Sequence, residues 1–191
     1  MSRPREQRVD EAVLPLALAW FFERGVDGIS VADLAAQAGV SRQSVYRRWR
    51  TKEAIVLAAI DAAPVRLPVP TGRGLRERLA ELFASVDLDE AARRSALMVG
   101  RLAVEGDRHP AVTRRCGERF VEPRRDQLLA ELEAGVRRGE LRADVDLVLL
   151  SELLTAPLMF GLLPPGRSSP ADPARVVDLL LAGAAAGDRP G

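Results

Sequence analysis

The chain has 191 residues, of which 47% are hydrophobic and 4% aromatic, and its 28 basic and 27 acidic residues give a net charge of +1. This near-neutral balance gives no sign of nucleic-acid binding by overall charge, and no apolar run approaches the roughly 18 residues needed to span a membrane. The single cysteine, Cys116, excludes an intramolecular disulfide. We expect a cytoplasmic protein without a signal peptide.

A first helix is predicted by the apolar positions Val9, Val13, Leu16 and Trp20, but Pro15 interrupts it. Proline in a helix interior removes a hydrogen bond and costs about 3 kcal/mol. Either the helix begins near residues 12–13, with the proline in its opening turn, or it is kinked there. The apolar pattern favours the kink, and residues 1–7 are expected to form a loose arm.

A second, short helix is predicted to begin after Ser30. Ser30 is a good N-cap, and Asp33 lies three residues further on, as in a capping box. Apolar residues then recur at helical spacing. Gly39 follows and is expected to end the helix in the left-handed conformation that glycine adopts readily. Val40 is expected to fill the angle to the next helix.

The third predicted helix is capped by Ser41 and has Val45 and Trp49 as its inner stripe. From Ser41 to Lys52 the chain carries five basic residues and no acidic one. Arg and Gln bond base edges in pairs, whereas Ser, Tyr and Arg also reach phosphates. Lys52 follows the N-cap Thr51, and a helix N-terminus attracts phosphate.

This pattern predicts a helix-turn-helix that enters a DNA major groove. The predicted DNA-binding residues are Ser30, Ser41, Arg42, Gln43, Ser44, Tyr46, Arg47 and Lys52. The alternative is an ordinary surface hairpin of two helices with a basic face.

The first 60 residues, roughly, resemble the TetR family of bacterial regulators. The resemblance rests on residues 8–12, 21–25, 29–41, 45–49 and 52–54, which include Gly25 and Gly39. It implies that the third helix enters the major groove and that Tyr46 and Lys52 hold the DNA backbone. Trp49, where Phe is commoner, and Pro15 depart from the family pattern.

Three prolines within residues 62–73 indicate a boundary. We expect a DNA-binding domain at residues 1–61, a linker at 62–73 and a second domain at 74–191. Further helices are predicted at residues 75–86, 90–105, 110–138, 144–163 and 173–185, with Pro123 as a kink or break. The predicted fold is therefore all-α, with about nine helices, as a three-helix head followed by a helical bundle.

The second half also resembles a TetR C-terminal domain, in residues 119–125 and 138–142. This resemblance implies a homodimer formed by the last two helices as a four-helix bundle. The expected interface residues are Leu147, Leu150, Leu154, Leu158, Val176, Leu179 and Leu180. A dimer would place two recognition helices roughly 34–36 Å apart on palindromic double-stranded DNA. The alternative is that each leucine faces its own core.

The predicted function is a repressor that a small apolar effector releases from its operator. The candidate ligand-binding residues are Phe83, Met98, Leu102, Phe120 and Met159, with Arg101 or Glu105 as polar anchors. An effector-independent regulator or activator, and a protein-interaction module that no longer reads DNA, remain as alternatives.

An enzyme, a cofactor and a metal site are not expected. His109 and Cys116 are too few ligands for zinc, and the ordinary interpretation is a helix-capping histidine and a buried cysteine. The Gly72-Arg-Gly74 sequence is no dinucleotide-binding motif, because position 77 is Glu and no strand precedes it.

Overall fold

The computed structural model describes residues 5–84, 100–101, 103–161 and 173–185. Within these ranges the regular structure is helical, apart from an isolated bridge between Leu141 and Ala185. The predicted all-α fold is therefore confirmed. No helix in the described ranges combines the length and the apolar character needed to cross a membrane.

The helices divide between two units. The first unit comprises residues 1–65 and 97–121, and the second comprises residues 66–96 and 122–191. The first contains α1 (Arg5–Arg24), α2 (Val31–Gln37), α3 (Arg42–Arg48), α4 (Lys52–Ala62), α6 (Pro110–Cys116) and a π-helical turn (Gly117–Val121). The second contains α5 (Leu75–Ala84), α7 (Glu122–Arg137), α8 (Leu147–Gly161) and α9 (Pro173–Ala184).

Helix α1 begins before Pro15, as in the alternative that the apolar pattern favours. It is continuous from Arg5 to Arg24 with Pro15 inside it, so a start at residues 12–13 is wrong, as is a loose arm that extends to residue 7. Pro15 is exposed, whereas Val13 and Phe21 are completely buried in the core of the first unit. Burial of this apolar face stabilises the helix despite the missing hydrogen bond.

The core of the first unit joins the short N-terminal helices to a later segment. Phe21, Leu34 and Ile55 are fully buried in one cluster together with Val112 and Cys116 of α6. Arg115 Nε also lies 2.5 Å from Asp61 Oδ1 of α4, and Arg119 donates a hydrogen bond of 3.1 Å to the Ala63 carbonyl. Residues 97–121 therefore group with the N-terminal head, which differs from the predicted division at residues 62–73.

The long helix predicted at residues 110–138 is interrupted by the π-helical turn, just before Pro123. Pro123 has no N–H to donate to the carbonyl of Arg119, four residues earlier, and its ring crowds that carbonyl. A widened turn over this position accommodates both effects. The predicted break therefore takes the form of a π-helical turn.

The core of the second unit is a packed set of aliphatic side chains. Leu79, Leu132 and Leu154 are fully buried there, on α5, α7 and α8. Helix α7 ends at Arg137, Gly139 follows with a φ of +73°, and the amide of Glu140 donates to the Gly135 carbonyl. This arrangement satisfies the terminal carbonyls of α7 and begins the connection to α8.

Candidate nucleic-acid interface

The turn between α2 and α3 has the geometry of a Schellman motif. Gly39 has φ +66°, its amide donates to the Ala36 carbonyl, and the amide of Val40 donates to the Ala35 carbonyl. A left-handed glycine with these two bonds closes the end of a helix and turns the chain sharply. The prediction for Gly39 is confirmed, and the turn sets the angle at which α3 leaves α2.

The three predicted N-caps are formed by hydroxyl side chains. Ser30 Oγ accepts from the Asp33 amide at 3.3 Å, Ser41 Oγ from the Ser44 amide at 3.1 Å, and Thr51 Oγ1 from the Ala54 amide at 3.0 Å. Each bond satisfies an amide that the helix itself leaves unpaired. Together they define where α2, α3 and α4 begin.

Helix α3 presents a polar face and buries an apolar one. Val45 is completely buried and Trp49 is nearly so. Arg42, Gln43 and Arg47 are exposed, and Tyr46 is 42% exposed, with the Arg42 guanidinium 5.5 Å from the centre of its ring. Four of the predicted DNA-binding side chains therefore lie together on the outer surface.

Ser44 does not belong to this outer surface. It is buried, and its Oγ lies 2.7 Å from Ser41 Oγ. Helical spacing placed Ser44 on the outer face with the other predicted DNA-binding residues of α3; that placement is wrong, because the hydroxyl of Ser44 is committed to the cap of its own helix.

Lys52 is bound within the first unit. Its Nζ donates a hydrogen bond of 3.0 Å to the carbonyl of Asp27, in the turn between α1 and α2. The Lys52 side chain is half-buried.

Arg48, the last residue of α3, is paired with Asp10 of α1. Its guanidinium contacts both carboxylate oxygens of Asp10. Sequence reasoning counted Arg48 among the basic block and gave Asp10 no role. The signal was present, because Asp10 lies three residues before the buried Val13, and an acid that extends an apolar stripe requires a partner.

Arg101 and Glu105, predicted as polar anchors for a ligand, bind the C-terminal end of α1. Arg101 Nε donates to the Phe22 carbonyl at 3.1 Å, and its terminal nitrogen donates to the Glu23 carbonyl. Glu105 is only 7% exposed and accepts from the Val26 amide at 3.4 Å. Both polar groups therefore bond backbone groups of the first unit, and their role as ligand anchors stays a prediction.

The structure describes two of the other predicted ligand-binding residues, Phe83 and Phe120. Phe83 is buried in the core of the second unit. Phe120 belongs to the first unit, where its ring packs edge to face against Phe22 at 6.4 Å. The side chains of Met98, Leu102 and Met159 lie outside the described residues.

The predicted dimer-interface residues have unequal exposure. Leu150 and Leu154 are buried in the second unit itself, so they support its own core. Leu179 is 76% exposed, and Leu147, Val176 and Leu180 are half-buried. The side chain of Leu158 lies outside the described residues. Exposed apolar side chains that sequence reasoning missed are Val148, Leu149 and Leu153 of α8.

The one thiol is not placed for chemistry. Cys116 is completely buried, and burial raises its pKa to about 12. A neutral, enclosed thiol is a poor nucleophile and a poor metal ligand. Among the residues that the structure describes, no three His, Cys, Asp or Glu side chains are grouped so that they could hold a metal ion.

Two family models match the chain. The model described as bacterial regulatory proteins of the tetR family matches residues 13–59. The model described as a tetracyclin repressor-like C-terminal domain matches residues 69–182. Together they include the helix-turn-helix and most of the second half of the chain.

Curated relatives extend the similarity over most of the chain. The HTH-type transcriptional regulator YdeS of Bacillus subtilis (strain 168) is 30% identical over 170 residues, which cover 85% of this chain and 82% of that protein. The DNA-binding transcriptional repressor TetR of Mycobacteroides abscessus is 30% identical over 175 residues, covering 89% and 90% of the two chains.

A solved structure shares the fold. A TetR-family transcriptional regulator from Cytophaga hutchinsonii superposes with a TM-score of 0.74 at 17% identity, covering 98% of this chain and all of the other, 100%. At this identity the likeness concerns the arrangement of the helices alone.

Proposed function

Because the chain belongs to the TetR family of bacterial regulators, we propose that it is a homodimeric repressor that a small apolar effector releases from a palindromic operator. The family establishes a DNA-binding transcriptional regulator. The observation that carries the proposal furthest is the outer face of α3, where Arg42, Gln43, Tyr46 and Arg47 are exposed side by side.

Within this face the proposal assigns two roles. Arg42 and Gln43 lie in the first turn of α3, the end of a recognition helix that contacts base edges, and their side chains bond guanine and adenine in pairs. Tyr46 and Arg47 lie one turn later and are assigned to phosphates. Lys52 joins them by exchanging the Asp27 carbonyl for a phosphate oxygen.

Dimerisation is supported by the apolar surface of the second unit. Leu149 and Leu153, four residues apart on α8, are 52% and 46% exposed, and Leu179 of α9 is 76% exposed. Burial of such exposed leucine side chains between two subunits is favourable at a homodimer interface. A two-fold dimer would bind the two halves of a palindrome.

Repression with release by an apolar effector is supported by the name of a relative and by the composition of the chain. The relative from Mycobacteroides abscessus carries the name of a DNA-binding transcriptional repressor. A ligand acts by binding one of two conformations more tightly, so an effector that prefers the DNA-free state would lower operator affinity. The shortage of aromatic residues, 4% of the chain, suits an aliphatic effector.

The DNA-binding test is fluorescence anisotropy on the DNA upstream of the protein's own gene, with unrelated DNA as competitor. Arg42→Ala and Gln43→Ala should relax base preference, with about a 10-fold loss on the operator, whereas Tyr46→Phe and Arg47→Ala should weaken all sequences alike. Arg137→Ala is the matched control, because this arginine is exposed on α7 of the second unit. If all four variants weakened every sequence equally, the division into base and phosphate contacts would be wrong.

The effector test uses the same labelled operator. Small apolar compounds are screened for a rise in melting temperature, and each compound that stabilises the protein is added to the DNA complex. A compound that does both, raising the melting temperature and releasing the DNA, supports the proposal. An operator complex that no stabilising compound releases favours the effector-independent alternative.

A further inference from the structure

We propose that Asp10 is a positioning residue for DNA recognition: it holds Arg48 and thereby fixes the orientation of α3. The inference rests on the proposed function, because it concerns how the recognition helix reaches DNA. It assigns a role in DNA binding to an acidic side chain, and it gives Arg48, one of the five basic residues between Ser41 and Lys52, a role other than phosphate contact.

Helix α3 is short. The helix has seven residues, Arg42–Arg48, and a helix of two turns has little stability of its own. Its orientation therefore depends on its tertiary contacts. Val45 and Trp49 bury one side, and the Ser41 cap with the Gly39 turn holds the N-terminal end.

The C-terminal end of α3 is joined to α1 by the contact between Arg48 and Asp10. Trp49 follows with an extended backbone, at φ −130° and ψ 118°, so the chain leaves the helix at this point. Here Arg48 reaches across to α1, and its planar guanidinium contacts both oxygens of Asp10. A two-point contact between a guanidinium and a carboxylate fixes direction as well as distance.

The negative charge of Asp10 by itself would oppose DNA binding. Arg48 and Asp10 side chains are 34% and 26% exposed, so the pair lies at the edge of the protein surface. All charged residues from Ser41 to Lys52 are basic. A carboxylate beside such a block repels phosphates, so charge alone predicts that removing Asp10 strengthens DNA binding. Positioning predicts the opposite sign.

The experiment measures operator affinity by anisotropy over a series of salt concentrations for Asp10→Ala, Arg48→Ala, the double variant and the exchanged pair Asp10→Arg/Arg48→Asp. Glu11→Ala is the matched control, because it removes an equal charge from the next, exposed position of α1. Circular dichroism at the assay temperature establishes that each variant is folded.

We expect Asp10→Ala and Arg48→Ala each to weaken binding about fivefold, and the double variant to be no weaker than either one. The exchanged pair should recover most of the loss. The slope of log affinity against log salt should stay unchanged in Arg48→Ala, because no phosphate contact is lost. Glu11→Ala should bind as the unaltered protein does, or slightly more tightly.

Three results would overturn the inference: Asp10→Ala that binds as well as or better than the unaltered protein, Arg48→Ala that lowers the salt slope by about one phosphate contact, or an exchanged pair that binds no better than Arg48→Ala. Failure of the unaltered protein to prefer any DNA sequence would instead refute the proposed function. The two failures are therefore distinguishable.

Discussion

Gly25 is a residue of the first unit at which an added side chain would meet both an unfavourable backbone conformation and a steric clash. Its φ of +76° is left-handed, and a Cβ built there would lie 2.0 Å from Glu105 Oε1. Gly25→Ala therefore has to displace a buried carboxylate that accepts the Val26 amide. We expect a loss of about 3 kcal/mol in the free energy of unfolding, from the left-handed backbone and the lost hydrogen bond together.

Gly39→Ala is the matched control for that substitution. Gly39 has a similar φ of +66°, but a Cβ there meets nothing within 4 Å. Its expected cost is the backbone contribution alone, about 1–2 kcal/mol. Urea unfolding followed by tryptophan fluorescence measures both variants, because Trp20 and Trp49 are buried in the first unit. Equal losses for the two glycines would contradict the role given to Glu105.

Whether a residue's role could be predicted from sequence depended on where its contacts come from. The roles of Gly39, Ser41 and Thr51 follow from backbone groups within five residues, so local spacing was sufficient to predict them. Ser44 was wrongly placed outside, because helical spacing does not show that its hydroxyl turns back to Ser41. The contact of Glu105 with Val26 spans 79 positions, and no local pattern indicates it.

At the scale of elements, Arg78 of α5 connects the proline-rich segment to α7. Its Nε and terminal nitrogen donate to the two carboxylate oxygens of Glu131, at 2.7 and 2.6 Å. The same guanidinium donates to the carbonyls of Pro70 and Gly72, at 2.9 and 3.3 Å. One side chain thus orders a stretch of chain that has no helix of its own.

The contact between Arg78 and Glu131 also predicts that the stability of the fold depends on pH. The hydrogen bond from Arg78 holds the pKa of Glu131 below its usual value of 4.5. A carboxyl whose folded-state pKa is lowered stabilises the fold above its unfolded-state pKa, and that contribution is lost as the pH falls through the folded-state value. Glu131→Gln should lower the melting temperature by about 3 °C near neutral pH, and the difference should shrink as the pH falls below 4.5.

Glu133→Gln is the control for this measurement. Glu133 lies on the same helix, is 59% exposed, and approaches Arg137 at 3.8 Å. An exposed pair of this kind contributes little to stability, so the melting temperature should hardly change at any pH. A Glu131→Gln variant with the same melting curve as Glu133→Gln would show that the Arg78 contact does not stabilise the second unit.

The limits of helices were predictable where capping residues mark them and uncertain where tertiary packing decides. Helix α4 begins after Thr51 as its hydroxyl cap requires. The apolar pattern carried α1 back past Pro15, but it did not mark the start at Arg5. Burial of Val13 and Phe21 stabilises the whole helix. The membership of residues 97–121 depends on packing of Val112 and Cys116 against distant helices, which apolar spacing cannot assign to one core or another.

For the whole molecule, the exposed apolar residues of α8 and α9 predict where the proposed homodimer forms. Leu149→Glu/Leu153→Glu places two charges on the face proposed to be buried between subunits, where each would be desolvated without a partner. Leu150 and Leu154 are left in place, because they belong to the core of the second unit. We expect a folded monomer by analytical ultracentrifugation.

The same variant should lose operator affinity by about 100-fold or more, because each half-site then binds independently and the gain from linkage disappears. Val69→Glu is the control, since Val69 is 85% exposed in the second unit but lies outside α8 and α9. It should leave both the dimer and operator binding unchanged. A Leu149→Glu/Leu153→Glu protein that still sediments as a dimer would place the interface elsewhere. A monomer that binds the operator with undiminished affinity would mean that one copy of α3 recognises DNA without the two-fold pairing of half-sites.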